Sequence, residues 1–233
     1  MMLKRLREEV LEANLELVRR GLVLYTFGNA SGIAREEGLV VIKPSGVPYK
    51  RMKPSDLVVV NLDGAIVEGA LRPSSDLPTH LVLYRAFTGV GAVVHTHSRS
   101  ASAWAQASRE IPCFGTTHAD YFHGPVPVTA PMPPAEIADA YEANTGHAIL
   151  RRFAKLNPTS TPAVLVSGHA PFCWGSTPDE AAHIAVVLEE IAHMALKTVT
   201  INPSAKPISR ALHDKHFLRK HGATAYYGQE SPT

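Results

Sequence analysis

The sequence has 233 residues, 45% of them hydrophobic, and a formal net charge of +2 with both signs interspersed. That balance gives no cationic face for nucleic acid, and no apolar run approaches the ~20 residues that span a bilayer. Cys113 and Cys173 form neither a CxxC pair nor a disulfide framework, so they read as buried free thiols in a reducing compartment.

Met1–Val10 carries five charged residues and no apolar stretch, which argues against a signal peptide and places the chain in the cytoplasm. Residues 2–20 then read as an amphipathic helix stopped by Gly21. Leu22–Tyr25, Leu39–Ile42 and Leu57–Val60 are short β-like runs. Turn-rich segments separate them at Gly28–Gly32, Lys43–Gly46 and Asn61–Gly64, the last leading by a hairpin into Ala65–Val67. Ser75 or Asp76 is placed to cap a helix reaching Phe87. Gly91–His97 reads as a buried strand and Ser98–Ser108 as an alanine-rich helix. Residues 111–134 form a Pro- and Gly-rich loop with a strand at Val126–Thr129, and Pro134–Leu156 is helix broken at Gly146. Ala163–Val166 is a short strand. Thr177-Pro178-Asp179-Glu180 is a capping box with Pro at the first helical position, opening a helix to about Thr198. Ser209 caps a last helix ending at Gly222, and the tail from Ala223 to Thr233 has no periodicity. With no repeat and no linker, residues 1–233 are expected to form one domain. Interleaved strands and helices lean, on their own, towards a parallel sheet.

Val93-Val94-His95-Thr96-His97 carries the sharpest chemistry. Side chains two apart on a strand point to the same side, so both imidazoles can meet one ion. Alone the pair means little, because twelve histidines make chance pairs frequent. Val164-Leu165-Val166-Ser167-Gly168-His169 delivers another histidine at a strand end, and Ser74-Ser75-Asp76 places a carboxylate before a helix. Three imidazoles and a carboxylate suit a first-row divalent ion, Zn²⁺ included. Taken singly, Asp76 reads as a helix cap and His169 as a loop histidine. The turns at Gly28-Asn29, Ser45-Gly46 and Ser74-Ser75 offer N–H and hydroxyl donors for an oxyanion, with Lys43 adjoining one of them. Taken singly, each is ordinary turn chemistry. Thr116–Phe122 is a loop dense in titratable groups, and Asp120 is its acid–base candidate. His183, His193, His213 and His221 read as structural or solvated.

These motifs, in this order, resemble the L-ribulose-5-phosphate 4-epimerase group of the class II aldolase/epimerase superfamily. The resemblance spans nearly the whole chain. It is carried by Glu8–Asn14, Gly28-Asn29, Ile42–Gly46, Pro73–Asp76, His95–Ser98, Gly115–Phe122, Asp214-Lys215-His216, Leu218–Gly222 and Ala225–Gln229. It implies a class II aldolase-like, three-layer α/β fold whose central sheet is mainly antiparallel with helices on both faces, against the parallel lean above. It implies a metal, usually Zn²⁺ with Mn²⁺ or Co²⁺ as substitutes, on Asp76, His95, His97 and His169. A sugar-phosphate pocket would use Gly28, Asn29, Lys43, Ser45, Gly46, Ser74, Ser75 and Thr116, with His216 nearby.

Asp120 and Tyr227 would be the acid–base pair, the tyrosine reaching in from a neighbouring subunit of a homotetramer with sites at its interfaces. The implied reaction interconverts L-ribulose 5-phosphate and D-xylulose 5-phosphate by retro-aldol cleavage at C3–C4. The rivals are a fuculose- or rhamnulose-1-phosphate aldolase, in which a Glu base stands where Asp76 stands here, and a non-catalytic metal- or sugar-binding protein on the same scaffold. The chain departs from the pattern at Ser167, where the family has a histidine, around Asn157–Pro162, and in the extension Glu230–Thr233.

Overall fold

Short runs of valine, isoleucine and leucine build the middle of the molecule. In a computed structural model that describes residues 1–223 and 225–227, they pair into one sheet. Its strands are β1 Asn29–Ala34, β2 Leu39–Ile42, β3 Val58–Asn61, β4 Ile66–Glu68, β5 Ala92–His95, β6 Ala163–Leu165 and β7 Pro171–Gly175. Their order is β4-β3-β2-β1-β5-β7-β6, and every pairing is antiparallel. The helices are α1 Lys4–Arg19, α2 Leu77–Ala86, α3 Arg99–Gln106, α4 Thr116–Ala119, α5 Pro134–Ala138, α6 Tyr141–Arg152, α7 Pro178–Ile201 and α8 Arg210–His221.

Both faces of the sheet are apolar, and the side chains sort by the two-residue period of a strand. Val41, Val59, Val94 and Cys173 face a core shared with α1, α3 and α7. Val40, Ile42, Val58, Val60, Val93, Phe172 and Trp174 face the opposite core, closed by α2 and α6. Each fully buried side chain of this size stabilises the fold by about 1.5–3 kcal/mol relative to exposure. This is the three-layer antiparallel arrangement expected from the resemblance, not the parallel sheet suggested by element order. Among the described residues, no helix is long and apolar enough to cross a membrane.

Several local expectations are corrected. Leu22–Tyr25 forms no strand, because Tyr25 turns the chain with φ 51°. Gly28–Gly32 is not a turn. Asn29 onward is a central strand, hydrogen-bonded to β2 on one side and β5 on the other. Val126–Thr129 makes only isolated bridges, to Ile111 and Leu165. Thr116–Ala119 is a short helix rather than loop. The 134–156 helix breaks at Asp139-Ala140, where Ala140 adopts φ 49°. Gly146 lies inside α6, where α2 packs so close that a Cβ would meet Val82 Cβ at 2.7 Å. The caps at Thr177 and Ser209 form, their hydroxyls accepting from the Glu180 and Leu212 N–H groups. Gly228-Gln229 and Glu230–Thr233 lie outside the described residues.

Register positions the chemistry. Asn29 of β1 and Phe172 of β7 stand on either side of His95, the last residue of β5, in one row across the sheet. Overfilling the α2–α6 contact is therefore expected to loosen the layer that carries Asp76. Gly146→Val should destabilise by about 1–3 kcal/mol, lowering the thermal midpoint by about 2–4 °C for each kcal/mol. Adding Val82→Ala should restore part of the loss in a thermal melt.

Candidate active site and metal centre

His95, His97 and His169 converge at this end of the sheet. One ligand atom of each lies within 4.8 Å of those of the other two. His95 is buried, and its Nδ1–H donates to the Pro171 carbonyl at 2.9 Å. Its ring stacks on Phe172 at 4.2 Å between centroids. With Nδ1 protonated, Nε2 carries the lone pair, and it faces His97 Nε2 at 3.1 Å. Burial pushes the His95 imidazole down to about 3 and also lowers His97 and His169. Neutral rings at neutral pH are what a cation requires of its ligands. His169 follows Gly168, which turns the chain between β6 and β7 with φ 70°, and its Nδ1 lies 3.4 Å from the Tyr141 hydroxyl.

Asp76 stands at the N-cap position of α2, yet its side chain makes no capping bond. Its Oδ2 instead accepts from the Asn29 side-chain amide at 2.6 Å, and the same amide reaches Ser74 Oγ at 3.0 Å. Burial pushes this carboxyl up, but His95, His80, His169 and the Asn29 bond outweigh it and hold it low. The three imidazoles share a common point and Asp76 stands beside them, outside the 4.8 Å group. The donor set suits a divalent transition ion, and two buried polar atoms of its surround, Asn29 Oδ1 and His80 Nε2, have no partner.

The turn residues gather around this centre. Gly28 has φ 73°, and a Cβ there would come within 2.7 Å of the His95 carbonyl, so no larger residue lets β1 approach. Lys43 is buried at the end of β2, its Nζ 4.8 Å from the Tyr49 ring centroid, and burial lowers it to about 8 against the pull of Asp76. Ser74 N–H donates to the Lys43 carbonyl and Ser45 N–H to the Arg72 carbonyl, which joins the Ser45-Gly46 turn to the Ser74-Ser75 turn.

A second group forms elsewhere. Asp120, just past α4, is gripped by α8: Arg219 Nη2 reaches Oδ2 at 2.8 Å, while Arg219 Nε and His216 Nδ1 each reach Oδ1 at 3.1 Å. Burial raises the Asp120 carboxyl, but these bonds prevail and hold it below the usual range. Thr116 opens α4 and accepts through its carbonyl from the Asp120 N–H. Tyr227 is exposed, its ring 5.0 Å from the Arg219 guanidinium. Among the described residues, no hydrogen bond or ion pair joins this group to the histidine centre. Ser167 belongs to neither, its hydroxyl turned to Ser108 at 2.7 Å.

Sequence reasoning missed several participants. His80 is one helical turn beyond Asp76, fully buried, and hydrogen-bonded with Tyr84 through the Ser31 hydroxyl. Its i,i+4 spacing from Asp76 was the available signal. Arg219 was visible one turn after His216. Tyr141 and Phe172 carried no local signal. A cleft of about 540 Å³ beside α2 and α6 contains none of these groups, so cavity size does not mark the chemistry.

Residues 8–196 match the family model for the class II aldolase and adducin N-terminal domain. The chain belongs to this family. An L-ribulose-5-phosphate 4-epimerase from Salmonella paratyphi B is 52% identical over 228 residues, covering 98% of this chain and 100% of that one. A solved L-fuculose 1-phosphate aldolase superposes with TM-score 0.77 at 24% identity, covering 91% of this chain and 94% of its own, and so shares the class II aldolase fold. The L-fuculose-1-phosphate aldolase of Thermus thermophilus is 29% identical with TM-score 0.67, covering 86% of this chain and 98% of that one.

His97→Ala should lower metal occupancy sharply. Asn29→Ala, which frees the Asp76 carboxylate, should weaken affinity by about 10–100-fold. Chelator competition followed by elemental analysis checks both, and unchanged affinity would remove either residue from the centre.

Proposed function

We propose that the chain is a metal-dependent epimerase that interconverts L-ribulose 5-phosphate and D-xylulose 5-phosphate. The observation that carries this reading is the Asp76 carboxylate, which makes no cap at its helix terminus and is held instead by Asn29, the residue paired with His95 across the sheet. An aspartate so held is a ligand, whereas the sister aldolases are expected to have a glutamate base at this place. The near full-length likeness to an L-ribulose-5-phosphate 4-epimerase supports the same choice.

C4 of a ketopentose phosphate is not adjacent to the carbonyl, so its C–H is not acidic, and breaking C3–C4 avoids that obstacle. Asp76, His95, His97 and His169 would hold the ion, Zn²⁺ in our proposal. A bound divalent ion supplies polarisation of the C2 carbonyl and C3 hydroxyl oxygens and stabilises enediolate charge. Gly28 and Asn29 at the start of β1, with the turns at Ser45-Gly46 and Ser74-Ser75 and with Lys43, would clamp the phosphate and retain the two-carbon aldehyde. Asp120 and Tyr227 would exchange the C4 hydroxyl proton on opposite faces, one removing it before cleavage and the other returning it after the aldehyde has rotated. The Arg219 and His216 bonds keep Asp120 ionised and aimed.

The separation of the two groups on one chain supports a homotetramer in which the α4–α8 group of one subunit completes the histidine centre of its neighbour. We read residues 1–233 as one catalytic domain acting in the cytoplasm.

Asp120→Asn should reduce epimerisation by about 10²–10⁴-fold with metal content intact. A coupled assay that separates epimerised pentulose phosphate from released aldehyde tests the reading, since accumulation of free aldehyde would favour an aldolase. Arg219→Gln removes the cation that lowers Asp120. The carboxylate then protonates at higher pH, and the acid limb of the kcat/KM profile should move upward. An unmoved limb would separate Asp120 from the proton transfer.

A further inference from the structure

Away from the histidine centre, His123, His213 and Asp214 also gather donor atoms, one from each, within 4.8 Å of one another. Asp214 Oδ1 lies 3.1 Å from His213 Nδ1 and 3.7 Å from His123 Nε2. Ligands about 2.0–2.1 Å from a tetrahedral ion stand about 3.3 Å apart, so these spacings bracket the required value. Arg210 Nε, 3.4 Å from Asp214 Oδ2, engages the other carboxylate oxygen and leaves Oδ1 to the two rings.

The surround of His213 fits a ligand. Its Nε2 is 3.0 Å from the Gly124 N–H and 3.1 Å from the Phe122 carbonyl, so the ring is offered a donor and an acceptor at the same atom. In one tautomer Nε2 accepts from Gly124, and the Nδ1 proton goes to Asp214. In the other, Nε2–H donates to Phe122 and the Nδ1 lone pair is free. The second is the arrangement that orients metal-bound histidines, whose far N–H is held by a backbone carbonyl. His213 is buried and His123 is half exposed, at the edge of a cleft of about 310 Å³ that Glu110 also lines. That leaves room for water in the fourth position.

We propose that His123, His213 and Asp214 form a second metal site, for a first-row transition ion such as Zn²⁺. Two imidazoles and one carboxylate favour such an ion over Mg²⁺ or Ca²⁺. The ion takes the Nδ1 lone pair of neutral His213, whose single ring proton then sits on Nε2 and is donated to the Phe122 carbonyl. It ties α8 to the 122–124 loop, and α8 is the helix whose His216 and Arg219 hold Asp120. The site shares no ligand with the histidine centre and stands whether or not the epimerase reading does.

The test is Zn²⁺ uptake by chelator-stripped full-length protein, read by elemental analysis and by thermal melting. The wild type should take up two ions per chain. His123→Phe and Asp214→Asn should each take up one, while His97→Ala should still take up one. Filling the second site should raise the melting midpoint of the wild type and not that of His123→Phe. One ion in the wild type, equal uptake by the wild type and both second-site variants, or a wild-type midpoint unmoved by the second ion would each overturn the proposal.

Discussion

His95 has its Nδ1 proton committed to the Pro171 carbonyl, so its Nε2 lone pair faces His97 across 3.1 Å, with His169 closing the third side. At that distance His97 Nε2–H can donate to the lone pair, so the two rings meet edge to edge at one point, His95 buried and His97 open to solvent. A cation would take the lone pairs of both rings at that point, whereas protonation of His95 is opposed by burial, which pushes it down to about 3. The neighbouring features serve this arrangement. β7 supplies the carbonyl and the Phe172 ring, β1 supplies Asn29 to steer Asp76, and Gly28 lets β1 come close enough to do so.

The antiparallel sheet makes the convergence possible. Asn29, His95 and Phe172 are far apart in the chain but consecutive across three strands, so register sets their mutual distances more rigidly than a loop would. The second group is built differently. Asp120 follows a one-turn helix and depends on α8 for its orientation, through a bidentate arginine and a histidine. In the proposed reaction, ligands gathered at one end of the sheet and an acid–base residue oriented by α8 would suit a fragment that turns between two proton transfers.

Much of this was legible in the sequence, for reasons tied to particular residues. His95 and His97 showed themselves through the two-residue period and their apolar lead-in. The capping box at Thr177 showed itself because its signal is local. β1 was hidden because Gly-Asn-Ala-Ser-Gly has turn composition, and only hydrogen bonds from β2 and β5 make it a strand. β7 was hidden by Pro171 and Gly175, which punctuate its ends. Gly146 looked like a helix breaker, whereas its small size is what admits Val82. Arg219 and His80 act across the fold or through buried hydroxyls. The Arg219–Asp120 pair spans 99 residues, a distance over which local pattern carries no information.

The most direct measurement is an anomalous-scattering map from crystals of the metal-loaded protein with substrate absent. The expected result is a peak within about 2.0–2.2 Å of a nitrogen from each of His95, His97 and His169 and of an Asp76 oxygen. A map with no peak among the three rings, or with Asp76 folded back to cap α2, would contradict the chemistry assigned to this end of the sheet.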